Sequence, residues 1–194
     1  MTLPTQLTIV RLLLAFLIMA LMVLPGWVAK AAALALFLIA GATDWLDGYL
    51  ARRWKQTSAA GALLDPLADK VLVLGVFLAC VWRHLVPLWM VLIIAMRELL
   101  ITGVRTWGAR RGVVLPAAKE GKQKTVSQMV AIIALLSMLT VKEWTARHGP
   151  AAPIMSALHW ISQGALWVAV VLTVVSGVMF FWRHRVALRH TVTR

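Results

Sequence analysis

The only four aspartates of this 194-residue chain lie in two pairs within a segment of 26 residues. Asp44 and Asp47 are three positions apart, and Asp65 and Asp69 are four apart, so within helices each pair shares one face. Four carboxylates brought together repel one another unless a cation neutralises them. A site made only of oxygen ligands suits a hard cation, so the spacing predicts binding of Mg²⁺, Mn²⁺ or Ca²⁺ rather than Zn²⁺.

Two other uses of these carboxylates are open. They could form salt bridges with Arg52, Arg53 or Lys70, or they could relay ions in a cation transporter. A transporter is expected to hold such groups near the bilayer midplane and often carries an internal repeat, which is not visible in this sequence. Four acids at this spacing favour the metal site. The five histidines are scattered and form no ligand pair, and the single cysteine, Cys80, can form no disulfide within the chain.

The helices that must position the acids are predicted to cross a membrane. Hydrophobic residues make up 61% of the chain and charged residues only 14%, whereas about a quarter of the residues of a soluble protein are charged. A spanning helix needs ~20 residues, so the chain accommodates one transmembrane domain over residues 1–194 and no sizeable domain outside the bilayer. The first span could alternatively be a signal peptide, but the following Pro25-Gly26 indicates a tight turn. The six predicted spans are approximately Leu7–Leu24, Val28–Ala51, Ala62–His84, Leu88–Trp107, Thr125–Val141 and Leu158–Trp182.

The net charge of +13 is better explained by membrane topology than by nucleic acid. With both termini in the cytoplasm, 14 of the 20 basic residues fall on the cytoplasmic side, four fall outside and two lie within spans. This bias is a strong positive-inside signal. The same orientation places all four aspartates near the cytoplasmic face, and it lets the basic residues there contact anionic lipids.

Small and polar residues accompany the acids at regular spacing. Gly48, Ala51 and Gly61 would let a ligand or a packed helix approach closely. Arg52 is suited to a phosphate, and Ser58 could donate a hydrogen bond. Residues 44–69 therefore spell Asp44-x-x-Asp47-Gly48-x-x-Ala51-Arg52, eight residues, and then Gly61-x-x-x-Asp65-x-x-x-Asp69. At every defined position this segment resembles the signature of the CDP-alcohol phosphotransferase (phosphatidyltransferase) family.

The resemblance implies an all-α integral membrane enzyme with six transmembrane helices, usually a homodimer, in the bacterial cytoplasmic (inner) membrane. Such an enzyme transfers the phosphatidyl group of CDP-diacylglycerol to an alcohol and releases CMP. The metal ligands implied for one or two Mg²⁺ or Mn²⁺ ions are Asp44, Asp47, Asp65 and Asp69. Of these, Asp47 and Asp65 are also expected to be catalytic, and Asp69 is the expected general base, a role that requires it to coordinate the metal only weakly. The implied contacts to the CDP-linked lipid are Gly48, Ala51, Arg52, Ser58 and Gly61.

Three further segments are similar to the branch of the family that accepts sn-glycerol 3-phosphate. They are Leu3–Arg11, in which Thr5 stands where asparagine is expected, Arg97-Glu98 with Thr102 and Arg105, and Gly121–Thr125 with Gln128. The resemblance ends near Leu136, and the last 58 residues add a span without a motif. The groups expected to bind the acceptor phosphate are Arg97, Arg105, Lys122 and Lys124.

Other interpretations of these segments stay open. Arg97 could instead neutralise Glu98 or an aspartate, and Lys122 and Lys124 could simply enforce topology and touch anionic lipid. The aspartate signature does not separate glycerol 3-phosphate from serine, inositol phosphate or a second phosphatidylglycerol as the acceptor. An inactive assembly factor is disfavoured, because no signature residue is missing.

Overall fold

A computed structural model describes residues 3–54, 59–111, 119–149 and 152–192, with side chains over 9–43, 68, 70–111, 123–149 and 153–185. Within those residues the chain forms six α-helices, in agreement with the six apolar runs of the sequence. In chain order they are α1 (Leu3–Val23), α2 (Trp27–Trp54), α3 (Ala59–Trp82), α4 (Leu88–Arg110), α5 (Lys119–His148) and α6 (Ala152–Val192).

The helices extend beyond the apolar runs that predict them, most clearly α5 and α6. Helix α5 begins at Lys119 rather than Thr125, and α6 continues past Trp182 to Val192. Hydropathy marks only the stretch that suits hydrocarbon, whereas a helix can continue further because its backbone hydrogen bonds are satisfied within the segment. Residues 121–125, which were expected to precede the fifth span, therefore lie in the first two turns of α5.

The connection from α1 to α2 is the tight turn that Pro25 and Gly26 predict. Gly26 has a φ of +95°, a conformation that glycine adopts readily. The side chain of Lys30, in the first turns of α2, is fully buried beneath this turn. Its Nζ donates to the carbonyl oxygens of Leu21, at 3.3 Å, and Leu24. Lys30 thus satisfies carbonyl groups that the end of α1 leaves without a helical partner.

We expect Lys30→Met to lower the melting temperature of the purified protein. The substitution leaves two carbonyl groups at the end of α1 without their donor, a loss of about 1–3 kcal/mol for a buried polar group. Lys142→Met is the matched control, because it removes an exposed lysine from α5. Equal melting temperatures for the two variants would contradict the capping role of Lys30.

Two helices, α1 and α5, organise the packing. Helix α1 contacts α2 and α3, α5 contacts α2, α3 and α6, and α4 contacts α3 and α6. Glycines permit the closest approaches: a Cβ at Gly75 would lie 2.7 Å from Sδ of Met19 on α1, and one at Gly41 would lie 2.6 Å from Cε of Met129 on α5. Both distances are too short for a side chain, so these glycines allow α3 to pack on α1 and α2 on α5.

The outer surface of the helices is apolar, as expected of a membrane protein. Among the described residues, Gln123–His148 and Pro153–Arg185 are long and apolar enough to cross a bilayer, and shorter apolar stretches cover Ile9–Val23, Trp27–Thr43 and Lys70–Trp82. Large apolar side chains that are more than half exposed include Leu13, Val28, Leu99, Trp160 and Val178. A soluble protein rarely exposes so much contiguous apolar surface, so the all-helical fold is consistent with insertion in a membrane.

Candidate active site

The four aspartates lie on two helices that run without interruption through their positions. Asp44 and Asp47 belong to α2, and Asp65 and Asp69 belong to α3. Continuous helices confirm the premise of the spacing argument, because positions three or four apart in a helix fall on one face. The four side chains themselves lie outside the described residues, so their approach to one another remains a prediction.

The helix bounds also bear on the depth of these positions. Asp44 is ten residues before the end of α2 at Trp54, and Asp69 is ten residues after the start of α3 at Ala59. Asp47 and Asp65 are seven and six residues from the same helix ends. At 1.5 Å per residue, the four positions lie ~9–15 Å along their helices from the connection between α2 and α3. These distances agree with a single locus at one depth.

Four of the five expected CDP-lipid contacts lie on the same two helix ends. Gly48, Ala51 and Arg52 are in the last turns of α2, and Gly61 is in the first turn of α3. Ser58 and the side chains of Ala51 and Arg52 are outside the described residues.

The donor set that α2 and α3 offer, two carboxylate pairs on uninterrupted helices, fits a hard divalent cation. Where side chains are described, no three His, Cys, Asp or Glu residues come together. The four aspartates are not among those side chains, so metal binding at Asp44, Asp47, Asp65 and Asp69 stays a prediction.

Two of the four expected acceptor-binding residues meet through one carboxylate. On α4, Nη1 of Arg97 lies 3.3 Å from Oε1 of Glu98, and the same Oε1 forms an ion pair with Nζ of Lys124 on α5. The interpretation that Arg97 neutralises Glu98 is therefore confirmed, and Lys124 shares the task. The interpretation that Lys124 simply touches lipid is wrong, because its side chain is buried and paired with Glu98. Lys122 precedes it in α5, and its side chain is outside the described residues.

The side chain of Arg97 also contacts helix α6. Nη2 of Arg97 donates a hydrogen bond to Oγ of Ser176 at 3.0 Å. A Cβ at the neighbouring Gly177 would lie 3.2 Å from Cγ of Arg97, so the arginine stem crosses α6 over a glycine. The buried Nε of Arg97 has no hydrogen-bond partner in the described part of the chain. The guanidinium is thus held at Nη1 and Nη2, while the N–H of Nε stays open to a further acceptor.

The surroundings of this pair are strongly basic. Arg105, one of the expected residues, places its guanidinium 5.6 Å from the ring centre of Phe180 on α6 and repels Arg97 electrostatically. Lys124 is repelled by Arg97 and by Lys70 of α3. Arg97 and Lys124 thus contact Glu98 directly, and Arg105 and Lys70 add positive charge around them. Such an excess of positive charge, in which Lys124 is buried and the other three are partly buried, is suited to a doubly charged anion.

Lys70 links this basic cluster to the aspartates. It follows Asp69 directly in α3, and its charge repels that of Lys124. Helix α3 also packs against α4 and α5, so the helix that carries the expected general base lies beside the helices that carry Arg97, Arg105 and Lys124. That neighbourhood is the geometric requirement for an acceptor hydroxyl to reach Asp69.

Sequence reasoning missed the contribution of α6. Ser176 and Thr173 are polar residues within an otherwise apolar run, Val170–Val178. Gln128, which the sequence singled out, donates from Nε2 to Oγ1 of Thr173 at 3.1 Å. Hydroxyl groups inside a membrane helix usually find a partner on a neighbouring helix, so these two residues were the available signal.

Comparison with known proteins agrees with the resemblance. Residues 1–175 match the model of the CDP-alcohol phosphatidyltransferase family. A Bacillus subtilis protein named CDP-diacylglycerol–glycerol-3-phosphate 3-phosphatidyltransferase is 38% identical, with 96% of this chain and 97% of that protein covered. Proteins of the same name from Yersinia pestis (strain Pestoides F) and Cereibacter sphaeroides are 42% and 35% identical, with at least 89% of each chain covered.

Proposed function

Because this chain belongs to the CDP-alcohol phosphatidyltransferase family, we propose that it transfers the phosphatidyl group of CDP-diacylglycerol to sn-glycerol 3-phosphate. The products are phosphatidylglycerophosphate and CMP. The observation that carries the choice of acceptor is the basic cluster beside α3, in which Lys124 is buried and Arg97 and Arg105 are partly buried. The names of the relatives state the same reaction.

The charge of the acceptor separates the alternatives. A phosphate monoester has a second pKa of about 6 and is therefore mostly a dianion at neutral pH. Glycerol 3-phosphate brings that dianion to a cluster with several cations and one described carboxylate, whereas serine offers no comparable group. Inositol phosphate and phosphatidylglycerol also carry phosphate, and the names of the relatives favour glycerol 3-phosphate over both.

The residues of α2 and α3 would hold the donor and activate the acceptor. Asp44, Asp47, Asp65 and Asp69 would bind one or two Mg²⁺ or Mn²⁺ ions, which supply positive charge at the pyrophosphate of the bound lipid. Gly48, Ala51 and Gly61 would leave space for the cytidine and the lipid phosphates, with Arg52 and Ser58 as their donors.

Asp69 would take the proton of the acceptor hydroxyl as the hydroxyl oxygen attacks the phosphorus of the phosphatidyl group. The new bond joins that oxygen to phosphorus, and the bond between phosphorus and the CMP oxygen breaks. Arg97, Arg105, Lys122 and Lys124 would hold the phosphate of the acceptor at the other end of the molecule. Positioning of this kind, more than covalent participation, accounts for most catalysis of phosphoryl transfer.

The reaction fits a site near the cytoplasmic face of the bacterial inner membrane. The exposed apolar faces of the helices and the strong bias of basic residues support six spans with both termini in the cytoplasm. The acyl chains of the donor then stay in the bilayer while its head group meets the soluble acceptor. Exposed basic residues on the same side, such as Arg110, Arg183 and Arg185, would contact anionic lipid. As in other members of the family, we expect a homodimer.

The proposal predicts strict dependence of CMP release on one acceptor. Purified protein in mixed micelles with CDP-diacylglycerol and Mg²⁺ should release CMP with glycerol 3-phosphate at least about tenfold faster than with serine or inositol phosphate. Chelation of the metal should stop the release, and Mg²⁺ or Mn²⁺ should restore it. Equal rates with serine would contradict the proposed acceptor.

A further inference from the structure

We propose that Ser176 and Gly177 of α6 are positioning residues for the acceptor site, because together they fix the guanidinium of Arg97. The inference rests on the proposed role of Arg97 in binding the acceptor phosphate. It assigns a part of that site to the last helix, in which the resemblance implies no functional residue.

Ser176 supplies the polar half of the arrangement. Its Oγ accepts a hydrogen bond from Nη2 of Arg97 at 3.0 Å and donates its own hydrogen to the carbonyl oxygen of Thr173 at 3.0 Å. Ser176 is only 4% exposed, so water does not compete for its hydroxyl group. With its hydrogen already committed to the backbone, the oxygen can only accept, and a guanidinium is the matching donor.

Gly177 supplies the steric half. A Cβ at this position would lie only 3.2 Å from Cγ of Arg97. The absence of a side chain lets the stem of Arg97 lie against the backbone of α6. This contact reduces the conformational freedom of the Arg97 side chain. Less conformational entropy is therefore lost when a ligand binds to its guanidinium.

The same stretch of α6 also touches the helix that carries Lys124. Oγ1 of Thr173, which is fully buried, accepts a hydrogen bond from Nε2 of Gln128. Gln128 is one turn after Lys124 in α5, and Thr173 is one turn before Ser176 in α6. Helix α6 therefore holds Arg97 of α4 directly and, through Gln128, also contacts the helix that carries Lys124.

These contacts leave Nε as the nitrogen of the Arg97 guanidinium that is open to a ligand. Nη1 of Arg97 faces Glu98 and Nη2 faces Ser176, while the buried Nε has no partner among the described residues. A phosphate oxygen that bonds this nitrogen would join a guanidinium already held in place. The geometry thus points to α6 as an element that sets acceptor affinity without any contact to the substrate.

Ser176→Ala tests the polar half. We expect an increase of about fivefold in the KM for glycerol 3-phosphate, with the KM for CDP-diacylglycerol changed by less than about twofold. Ser176→Thr keeps the hydroxyl and should stay near the wild-type values. The matched control is Ser162→Ala, because Ser162 is also buried in α6 and donates to the carbonyl three residues earlier, but contacts Met138 rather than Arg97.

Gly177→Ala tests the steric half. The added methyl group should displace the stem of Arg97 and raise the same KM by a similar factor. Gly164→Ala is the control, since it lies in the same helix and a Cβ there would meet nothing within 4 Å. Both substitutions raise helix propensity equally, so a difference between them reports on Arg97.

The positioning role is wrong if Ser176→Ala and Gly177→Ala both leave the KM for glycerol 3-phosphate unchanged, or if they raise the two KM values equally. Arg97→Ala separates this result from failure of the proposed function. If Arg97→Ala raises the KM for glycerol 3-phosphate and the two α6 variants do not, only the positioning inference fails. If Arg97→Ala itself leaves that KM unchanged, the acceptor role of Arg97 fails. Melting temperatures close to that of the wild type establish that each variant is folded.

Discussion

Asp69→Asn is expected to lower kcat for CMP release by a factor of about 10²–10⁴ while α3 stays folded. Asparagine has nearly the same shape as aspartate, but it cannot take a proton from the acceptor hydroxyl, and a positioned general base contributes a factor of this size. The measurement is the release of CMP with both substrates saturating. Saturation ensures that the change reflects the chemical step rather than weaker binding.

A second aspartate provides the control for metal binding. Asp65→Asn should weaken Mg²⁺-dependent binding of a CDP nucleotide, because it removes a predicted ligand. Asp69→Asn should retain most of that binding if Asp69 coordinates the metal only weakly. Turnover like that of the wild type in the Asp69→Asn protein would refute the general-base role, whereas equal loss of nucleotide binding in both variants would make Asp69 chiefly a metal ligand.

Lys124→Met should impair both the stability of the protein and its use of the acceptor. The substitution leaves Glu98 paired with Arg97 alone. Because the carboxylate loses the partner on α5 and keeps only Arg97, the protein is destabilised and the melting temperature should fall. The KM for glycerol 3-phosphate should rise by about tenfold or more, since one cation of the basic cluster is lost.

The double variant Lys124→Met/Glu98→Gln separates the two effects. Replacing both charges removes the carboxylate that has lost the lysine, so the melting temperature should recover. The KM should stay high, because the ammonium group is still missing. Recovery of both quantities would mean that Lys124 serves only to neutralise Glu98.

The ion pair between Arg83 and Glu143 is a suitable control for this experiment. Arg83 directly follows the end of α3, and Glu143 lies in the last two turns of α5. The pair is therefore far from the start of α5, where Lys124 lies. The single substitution Arg83→Met, which leaves Glu143 without this partner, should therefore lower the melting temperature without changing either KM. A rise in the KM for glycerol 3-phosphate in this variant would indicate that the acceptor site responds to any loss of stability.

Local features of the chain were enough to predict the helices and the family. An apolar run of ~20 residues becomes a helix almost regardless of its neighbours, because no other open structure satisfies its backbone in a bilayer. The aspartate signature likewise lies within two consecutive helices, from Asp44 to Asp69. Its residues therefore share two helices whatever the rest of the fold does. The start of α5 and the end of α6 were less predictable, because each helix extends beyond the apolar run that marks it.

The surroundings of the basic residues were decided by the tertiary structure. A lysine near a predicted membrane interface, such as Lys124, is equally compatible with topology, lipid contact or a binding site. Its burial and its ion pair with Glu98 exclude lipid contact. Periodicity shows which face of a helix is polar, but it does not show which neighbour that face will meet.

By itself, then, the sequence determined the six helices, the carboxylate pairs and the kind of chemistry they suit, because each depends on residues close together in the chain. The hydrogen bond from Arg97 to Ser176 joins residues 79 positions apart. Whether it forms depends on α4 packing against α6 at one register, with Gly177 at the crossing. Only the packing of the helices could decide that contact, since the apolar face of α6 has no local feature that selects α4 as its partner.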